Sequence, residues 1–140
     1  IDSLRMEKGY LYWSSDITPD YTPLEAGLGF RVNFNKGDFI GRAALLKQRD
    51  TGVRQRLVTF LLDDYLPLYG SEAVMVDGKV VGVTTGGNFG YSVGKSIGYG
   101  YLPVELVERG AVEIEAFGKV SNARIATKAA YDPDNLRLKA

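Results

Sequence analysis

The sequence predicts a mainly β fold, in which a small α/β N-terminal part precedes a small antiparallel β-barrel or sandwich. After residue 52, short apolar runs alternate with turn residues to the end of the chain. Asp77-Gly78 separates two of these runs, and this dipeptide is the strongest short-range signal for a type I′ hairpin. Closely spaced strands joined by such turns are typical of small barrels and sandwiches. The first third of the chain has a different sequence pattern. Two prolines fall within one predicted loop, and a predicted helix lies on either side of that loop.

The N-terminal third begins with the end of a helix. Within residues 1–8, Leu4 and Met6 are apolar and Lys8 falls in the last turn, and Gly9 is a good residue to close the helix. We expect residues 10–13 to be extended and residues 14–29 to form a structured loop. "FRVNF" at 30–34 alternates between apolar and polar residues, which predicts a short strand.

A second helix is predicted at about 39–49. Asp38 is a suitable N-cap, and Gly52 lies just beyond the C-terminal end. We therefore divide the chain near residue 52. Helical spacing also predicts a buried stripe, made of Ile40, Ala43, Ala44 and Leu46.

Four apolar stretches beyond this point are predicted to supply the strands. They are residues 54–64, the hairpin at 72–87, residues 96–103 and the two arms of 111–130. In the last stretch, Val112, Ile114 and Ala116 alternate before a turn near Gly118-Lys119, and Ala123, Ile125 and Thr127 alternate after it.

Composition excludes several classes of function. The chain has 140 residues with 17 basic and 17 acidic side chains, which argues against a dedicated nucleic-acid binder. It has neither cysteine nor histidine, so thiolate zinc sites and histidine bases are excluded. No apolar run approaches the roughly 18 residues needed to span a membrane. We expect no metal, nucleic-acid or membrane partner.

The stretch "GGNFGYSVGKS" at 86–96 ends like a phosphate-binding loop, but the pattern fails. Phe89 stands where the first glycine is required, and glycines and a proline follow where a helix should begin. We expect a connection between two strands that closes the barrel, with Lys95 solvated. Its four glycines are expected to permit tight or positive-φ turns, at Gly86, Gly87, Gly90 and Gly94.

Several motifs in order resemble one known family. In the N-terminal third they are Arg5–Gly9 (RMEKG), Trp13, Asp16-Ile17, Thr22–Val32 (TPLEAGLGFRV) and Asp38–Leu45 (DFIGRAAL). In the β part they are Gly82–Gly86 (GVTTG) and Tyr99–Pro103 (YGYLP). This pattern is similar to that of the aminomethyltransferase, or glycine-cleavage T-protein, family, and within it to the folate-binding region of dimethylglycine and sarcosine oxidoreductases.

The resemblance implies a domain organisation. Residues 1–52 would be the C-terminal tail of the folate-binding aminomethyltransferase domain, and 53–140 a C-terminal antiparallel β-barrel. It also implies that the chain, which starts at Ile1, is a fragment whose missing N-terminal half is its partner.

The implied ligands are tetrahydrofolate and a one-carbon donor, with FAD only in an upstream domain. We expect a cytoplasmic protein, or one of the mitochondrial matrix if the source is eukaryotic. The alternatives are a plain T-protein without a flavin domain and a non-catalytic structural β module. Family members devoted to RNA modification or iron–sulfur repair share the fold, but their cysteine motif is absent here.

Site residues follow from the resemblance. It implies that Arg5 holds the anionic glutamyl end of folate, that Trp13 stacks on the pterin or its aromatic linker, and that Arg137 offers a second carboxylate partner. The alternatives are that Arg5 is a surface arginine near a helix end, that Trp13 is a partly buried core residue, and that Arg137 is a disordered terminal residue.

Three further motif residues are expected to be structural. Glu25 would fix its loop by accepting backbone N–H groups, and Gly27 and Gly41 belong to the same motifs. The resemblance puts the catalytic aspartate upstream of the chain. Asp16 and the Asp63-Asp64 pair, which we expect to be a solvated strand end, are therefore not assigned catalytic roles.

Overall fold

A closed barrel of six antiparallel strands forms most of the computed structural model, which describes residues 1–139. The strands are β1 (Gln55–Leu62), β2 (Ala73–Val76), β3 (Lys79–Gly90), β4 (Lys95–Pro103), β5 (Ala111–Ala116) and β6 (Lys119–Ala126). The helices are α1 (Asp2–Lys8), α2 (Arg42–Thr51) and the single turn α3 (Val104–Val107), and a short 3₁₀ helix covers Gly29–Arg31. The expectation of a mainly β fold is confirmed.

The barrel closes because β1 pairs with both β4 and β6, which gives the order β1-β4-β3-β2-β5-β6. This closure decides between barrel and sandwich. One face of each strand supplies the core, and in β5 and β6 the inward residues include Val112, Ile114, Ala116, Ala123 and Ile125, as the alternation predicts.

Both predicted hairpin turns are present. Asp77 and Gly78 have φ values of 51° and 73°, as a type I′ turn requires. The second turn lies one residue earlier than predicted, because Phe117 and Gly118 are the residues with positive φ.

The glycine-rich stretch joins β3 to β4, but the prediction about its glycines is wrong for three of the four. Only Gly94 has a positive φ, at 67°. Gly86, Gly87 and Gly90 lie within β3, where neighbouring atoms approach the backbone closely. A Cβ at Gly87 would overlap the side chain of Leu68.

Lys95 was expected to be solvated, and 33% of its side chain is exposed. Its Nζ forms an ion pair with Asp63, whose side chain is 90% exposed. This pair lowers the pKa of Asp63, through the hydrogen bond from Lys95 first and its charge second.

The N-terminal third agrees with the predictions in part. Helix α1 ends at Gly9, which has a left-handed φ of 75°, as predicted. The predicted strand at 30–34 is wrong, because the chain forms a 3₁₀ turn there and finds no ladder partner within residues 1–139. Phe30 is consequently exposed.

The second helix begins at Arg42 and not near residue 39, so Asp38 does not cap it. Gly52 ends it as expected. The predicted buried stripe is wrong: Ile40 lies outside the helix and is fully exposed, Ala43 and Ala44 are exposed, and Leu46 is half-buried. The physical reason is that no residue of α2 is buried by another part of the described chain.

Helix α1 packs against the outside of the barrel and positions the site. Its Met6 is fully buried in a second apolar cluster, with Leu61, Ile97 and Tyr99 from the strands. No helix of the described residues combines the length and apolarity that crossing a membrane requires.

Candidate functional site

Helix α1 is fixed to the barrel by a buried tyrosine. The hydroxyl of Tyr99 donates a hydrogen bond to the carbonyl oxygen of Met6 at 2.6 Å, in the last turn of the helix. The same carbonyl also accepts the N–H of Gly9 at 3.4 Å, so this carbonyl at the helix C-terminus has two donors. Burial raises the pKa of Tyr99 well above its ordinary value.

Glu7 joins the same helix to the turn between β3 and β4. Its side chain is buried, and its Oε1 accepts hydrogen bonds from the backbone N–H groups of Ser92 at 2.5 Å and Val93 at 3.2 Å. The sequence carries a signal for this interaction. An acidic residue in the last turn of a helix opposes the helix dipole, so it requires a partner elsewhere.

Arg5 is held on several sides and is not an ordinary surface arginine. Its Nη1 donates to Asp16 Oδ2 at 2.8 Å and to the carbonyl oxygen of Tyr10 at 3.2 Å, and its Nε donates to Asp2 Oδ1 at 3.3 Å. The guanidinium lies 4.5 Å from the centre of the Tyr12 ring. Only 17% of the Arg5 side chain is exposed.

Asp16 is the buried partner of Arg5, and sequence reasoning gave it no role. It also accepts the backbone N–H of Tyr12 at 2.8 Å and the hydroxyl of Thr85 at 2.8 Å. Its backbone carbonyl accepts the hydroxyl of Tyr101 at 2.9 Å. Burial raises the pKa of Tyr101 well above its ordinary value. Thr85 lies 69 residues away in the sequence, a separation at which no local pattern identifies a partner.

An open cleft of about 570 Å³ lies between α1 and the C-terminal segment. Arg5 and Arg137 both line it, although 132 positions separate them in the sequence, and Leu4, Tyr10 and Tyr131 contribute apolar and aromatic surface. The guanidinium of Arg137 lies 5.6 Å from the centre of the Tyr131 ring.

The C-terminal segment that forms one wall of this cleft is tied to α1. The N–H of Tyr131 donates to the carbonyl oxygen of Glu7 at 2.9 Å, and Lys8 Nζ donates to Asp132 Oδ2 at 3.0 Å. Desolvation alone would raise the pKa of Asp132. The hydrogen bond from Lys8 and those from the N–H groups of Arg137 and Leu136 outweigh it and lower that pKa.

Trp13 does not line the cleft that contains the two arginines. It is 66% exposed and pairs with Ile17 in an isolated bridge. This exposure is incompatible with the alternative that Trp13 is a core residue. A separate cleft of about 500 Å³ runs beside Leu11, Leu28 and Phe30, and Trp13 does not line that one either.

Glu25 makes the hydrogen bonds that a structural role requires. Its Oε2 accepts the N–H and the hydroxyl of Thr22 at 2.8 and 3.0 Å, and its own N–H donates to the Thr22 hydroxyl at 3.2 Å. This reciprocal arrangement is a capping box. Gly27 and Gly41 have φ values of 72° and 88°, a region that side chains disfavour.

No group of three His, Cys, Asp or Glu side chains in residues 1–139 is arranged to hold a metal ion. The cleft offers two guanidinium groups and apolar surface, and its other charged side chains, Glu7, Lys8 and Asp132, already have partners within the protein. Such a set of groups can bind an elongated ligand that is aromatic along its length and anionic at one end.

Most of the chain matches models of one protein family. A family model described as the glycine cleavage T-protein C-terminal barrel domain matches residues 55–132, and one described as the GCVT N-terminal domain matches residues 1–36. Mitochondrial sarcosine dehydrogenase of Mus musculus is 43% identical over 99% of the chain, and mitochondrial dimethylglycine dehydrogenase of the same species is 45% identical over 85%.

The chain spans only 16% of that sarcosine dehydrogenase and 14% of that dimethylglycine dehydrogenase. Among solved structures, glycine cleavage system aminomethyltransferase T from Bartonella henselae superimposes with a TM-score of 0.85 at 30% sequence identity. That superposition covers 94% of this chain and 38% of the other.

Proposed function

Since this chain belongs to the glycine cleavage T-protein family of aminomethyltransferases, we propose that it supplies the C-terminal part of a tetrahydrofolate-binding site in a larger one-carbon-transfer enzyme. In this proposal residues 1–52 are the tail of the folate-binding domain, and residues 53–140 are its barrel. The catalytic aspartate and the rest of the pocket belong to the parent protein.

The observation that carries the proposal is the cleft lined by both Arg5 and Arg137. Tetrahydrofolate has a flat aromatic linker and ends in a glutamate with two carboxylates. Tyr10, Tyr131 and Leu4 offer apolar surface to the linker, and the two guanidinium groups can each donate to a carboxylate.

Arg137 is the freer of the two arginines. Arg5 is already paired with Asp16 and Asp2, which reduces the positive charge it offers to a ligand. The Arg137 side chain faces an aromatic ring, and no ion pair occupies it within the described part of the chain. We therefore infer that Arg137 supplies more of the attraction to the glutamate, and that Arg5 supplies a fixed donor. Trp13 lies outside this cleft, and its stacking on the pterin stays a prediction.

The parent is proposed to be a flavin-dependent N-methylglycine oxidoreductase. The similarity to sarcosine and dimethylglycine dehydrogenases supports this, at 43% and 45% identity. FAD would belong to an upstream domain that oxidises the N-methyl amine, and the folate would capture the one-carbon unit. Both relatives are mitochondrial, which supports a mitochondrial location in a eukaryotic source. A plain aminomethyltransferase remains the alternative that the Bartonella structure supports.

Calorimetric titration of the full-length parent protein with 5-formyltetrahydrofolate tests the proposal. We expect binding in the unsubstituted protein and a loss of about tenfold or more in Arg137→Ala, the range for one charge-assisted hydrogen bond. Arg31→Ala is the matched control, since Arg31 lines the other cleft and stacks on Phe30. Absence of binding in the unsubstituted protein would favour a structural β module, and equal losses in the two variants would reject the cleft.

A further inference from the structure

Asp16 is a fully buried carboxylate between Arg5 and strand β3. Its two oxygens are used differently. Oδ2 accepts from Arg5 Nη1 and from the N–H of Tyr12, each at 2.8 Å, whereas Oδ1 accepts from the Thr85 hydroxyl at 2.8 Å. Because the carboxylate is fixed by the loop on one side and by the barrel on the other, the guanidinium bonded to it is fixed as well.

The remaining contacts of Arg5 restrict it further. Nε is bonded to Asp2, Nη1 is also bonded to the carbonyl of Tyr10, and the Tyr12 ring covers the guanidinium. Within residues 1–139, Nη2 is the one nitrogen of this guanidinium without a hydrogen-bond acceptor. The group is thus held in one orientation, with one NH₂ left to donate.

Gly86 keeps space open beside that free nitrogen. A Cβ at this position would lie 3.5 Å from Arg5 Nη2 and 3.3 Å from Asp16 Oδ1. Gly86 has no positive φ, so backbone conformation does not require a glycine here. The approach to Asp16 Oδ1 would be tighter than most Cβ contacts, whereas the distance to Arg5 Nη2 is that of an ordinary van der Waals contact. The first residue of the glycine-rich stretch therefore lies beside Arg5 and Asp16, whereas the turn of that stretch lies further along, between β3 and β4.

We propose that Asp16, itself held by Thr85, is a positioning residue that presents Nη2 of Arg5 to a terminal carboxylate of folate. This inference rests on the proposed function. If Asp16 only neutralised the charge of Arg5, it would weaken the binding of an anion, whatever the orientation of the guanidinium. A carboxylate that fixes the guanidinium lowers the entropy lost when the ligand binds.

The test uses Thr85→Val in the full-length parent protein, because valine keeps the shape of threonine and leaves every charge in place. Affinities are measured for 5-formyltetrahydrofolate and for the corresponding pteroate, which lacks the glutamate. We expect Thr85→Val to weaken binding of the folate by about three- to tenfold, the range for one hydrogen bond, and to leave pteroate binding unchanged. Thr59→Val is the matched control on strand β1 and should change neither affinity.

A second variant shows whether Thr85 acts through Arg5. In an Arg5→Lys background, which lacks the fixed fork of donors, Thr85→Val should cause no further loss of folate affinity. Equal losses with folate and pteroate, unchanged folate affinity, or an undiminished loss in the Arg5→Lys background would each overturn the positioning role. Failure of the unsubstituted protein to bind either ligand is a different result, and it would overturn the proposed function and this inference together.

Discussion

Replacing Arg5 by alanine should destabilise the 140-residue chain strongly, whatever its effect on ligand binding. The substitution removes the cation that faces Asp16, whose side chain is 0% exposed. Breaking a buried ion pair by removing one partner costs about 3–5 kcal/mol, because an uncompensated charge remains in the interior. The free energy of unfolding of a domain is about 5–15 kcal/mol, so this loss would be a large fraction of the total.

The assay is urea unfolding followed by far-ultraviolet circular dichroism. Arg56→Ala is the control, because Arg56 is exposed and should change stability by no more than about 0.5 kcal/mol. The double variant Arg5→Ala/Asp16→Asn should be more stable than Arg5→Ala alone, since asparagine keeps hydrogen-bonding groups for Tyr12 and Thr85 but carries no charge. A loss below about 1 kcal/mol in Arg5→Ala, or a double variant no more stable than the single one, would refute the buried-pair reasoning.

Two further predictions concern packing and pH. Gly87→Ala should destabilise the chain by about 1–3 kcal/mol in the same assay, because its methyl group would overlap Leu68; an unchanged midpoint would contradict that packing. Because the pKa of Asp132 is lowered, its ionised form stabilises the C-terminal segment at pH values above the ordinary pKa of 3.8. This contribution is lost as the pH falls through the lower folded-state pKa. Nuclear magnetic resonance titration should place the Asp132 midpoint below 3.8, and Lys8→Met should raise it; a midpoint that Lys8→Met leaves unmoved would exclude Lys8 as a cause.

The strands of the barrel were predictable because each one is identified by a local sequence pattern. Alternation and turn residues identify β5, β6 and the Asp77-Gly78 hairpin without knowledge of their partners. The same alternation predicted a strand at 30–34, but a strand needs a neighbour. No ladder partner lies within the described residues, so local hydrogen bonds produce a 3₁₀ turn there.

The site was only partly predictable, since it depends on contacts between distant residues. The motif resemblance indicated Arg5 and Arg137, and the structure brings both to one cleft. It gave no role to Asp16 or Thr85, because their hydrogen bond joins a loop to a strand far away in the sequence. Three glycines of β3 were assigned to turns for a related reason. Gly86 approaches Asp16, Gly87 approaches Leu68, and Gly90 approaches Ile97, and local sequence patterns do not reveal these contacts.

A crystal structure of the full-length parent protein with 5-formyltetrahydrofolate would locate the glutamate of the ligand. We expect the glutamate carboxylates within hydrogen-bond distance of Arg5 Nη2 and the Arg137 guanidinium, with the aromatic linker against Tyr10 or Tyr131. A ligand bound with its glutamate away from both arginines would contradict this prediction.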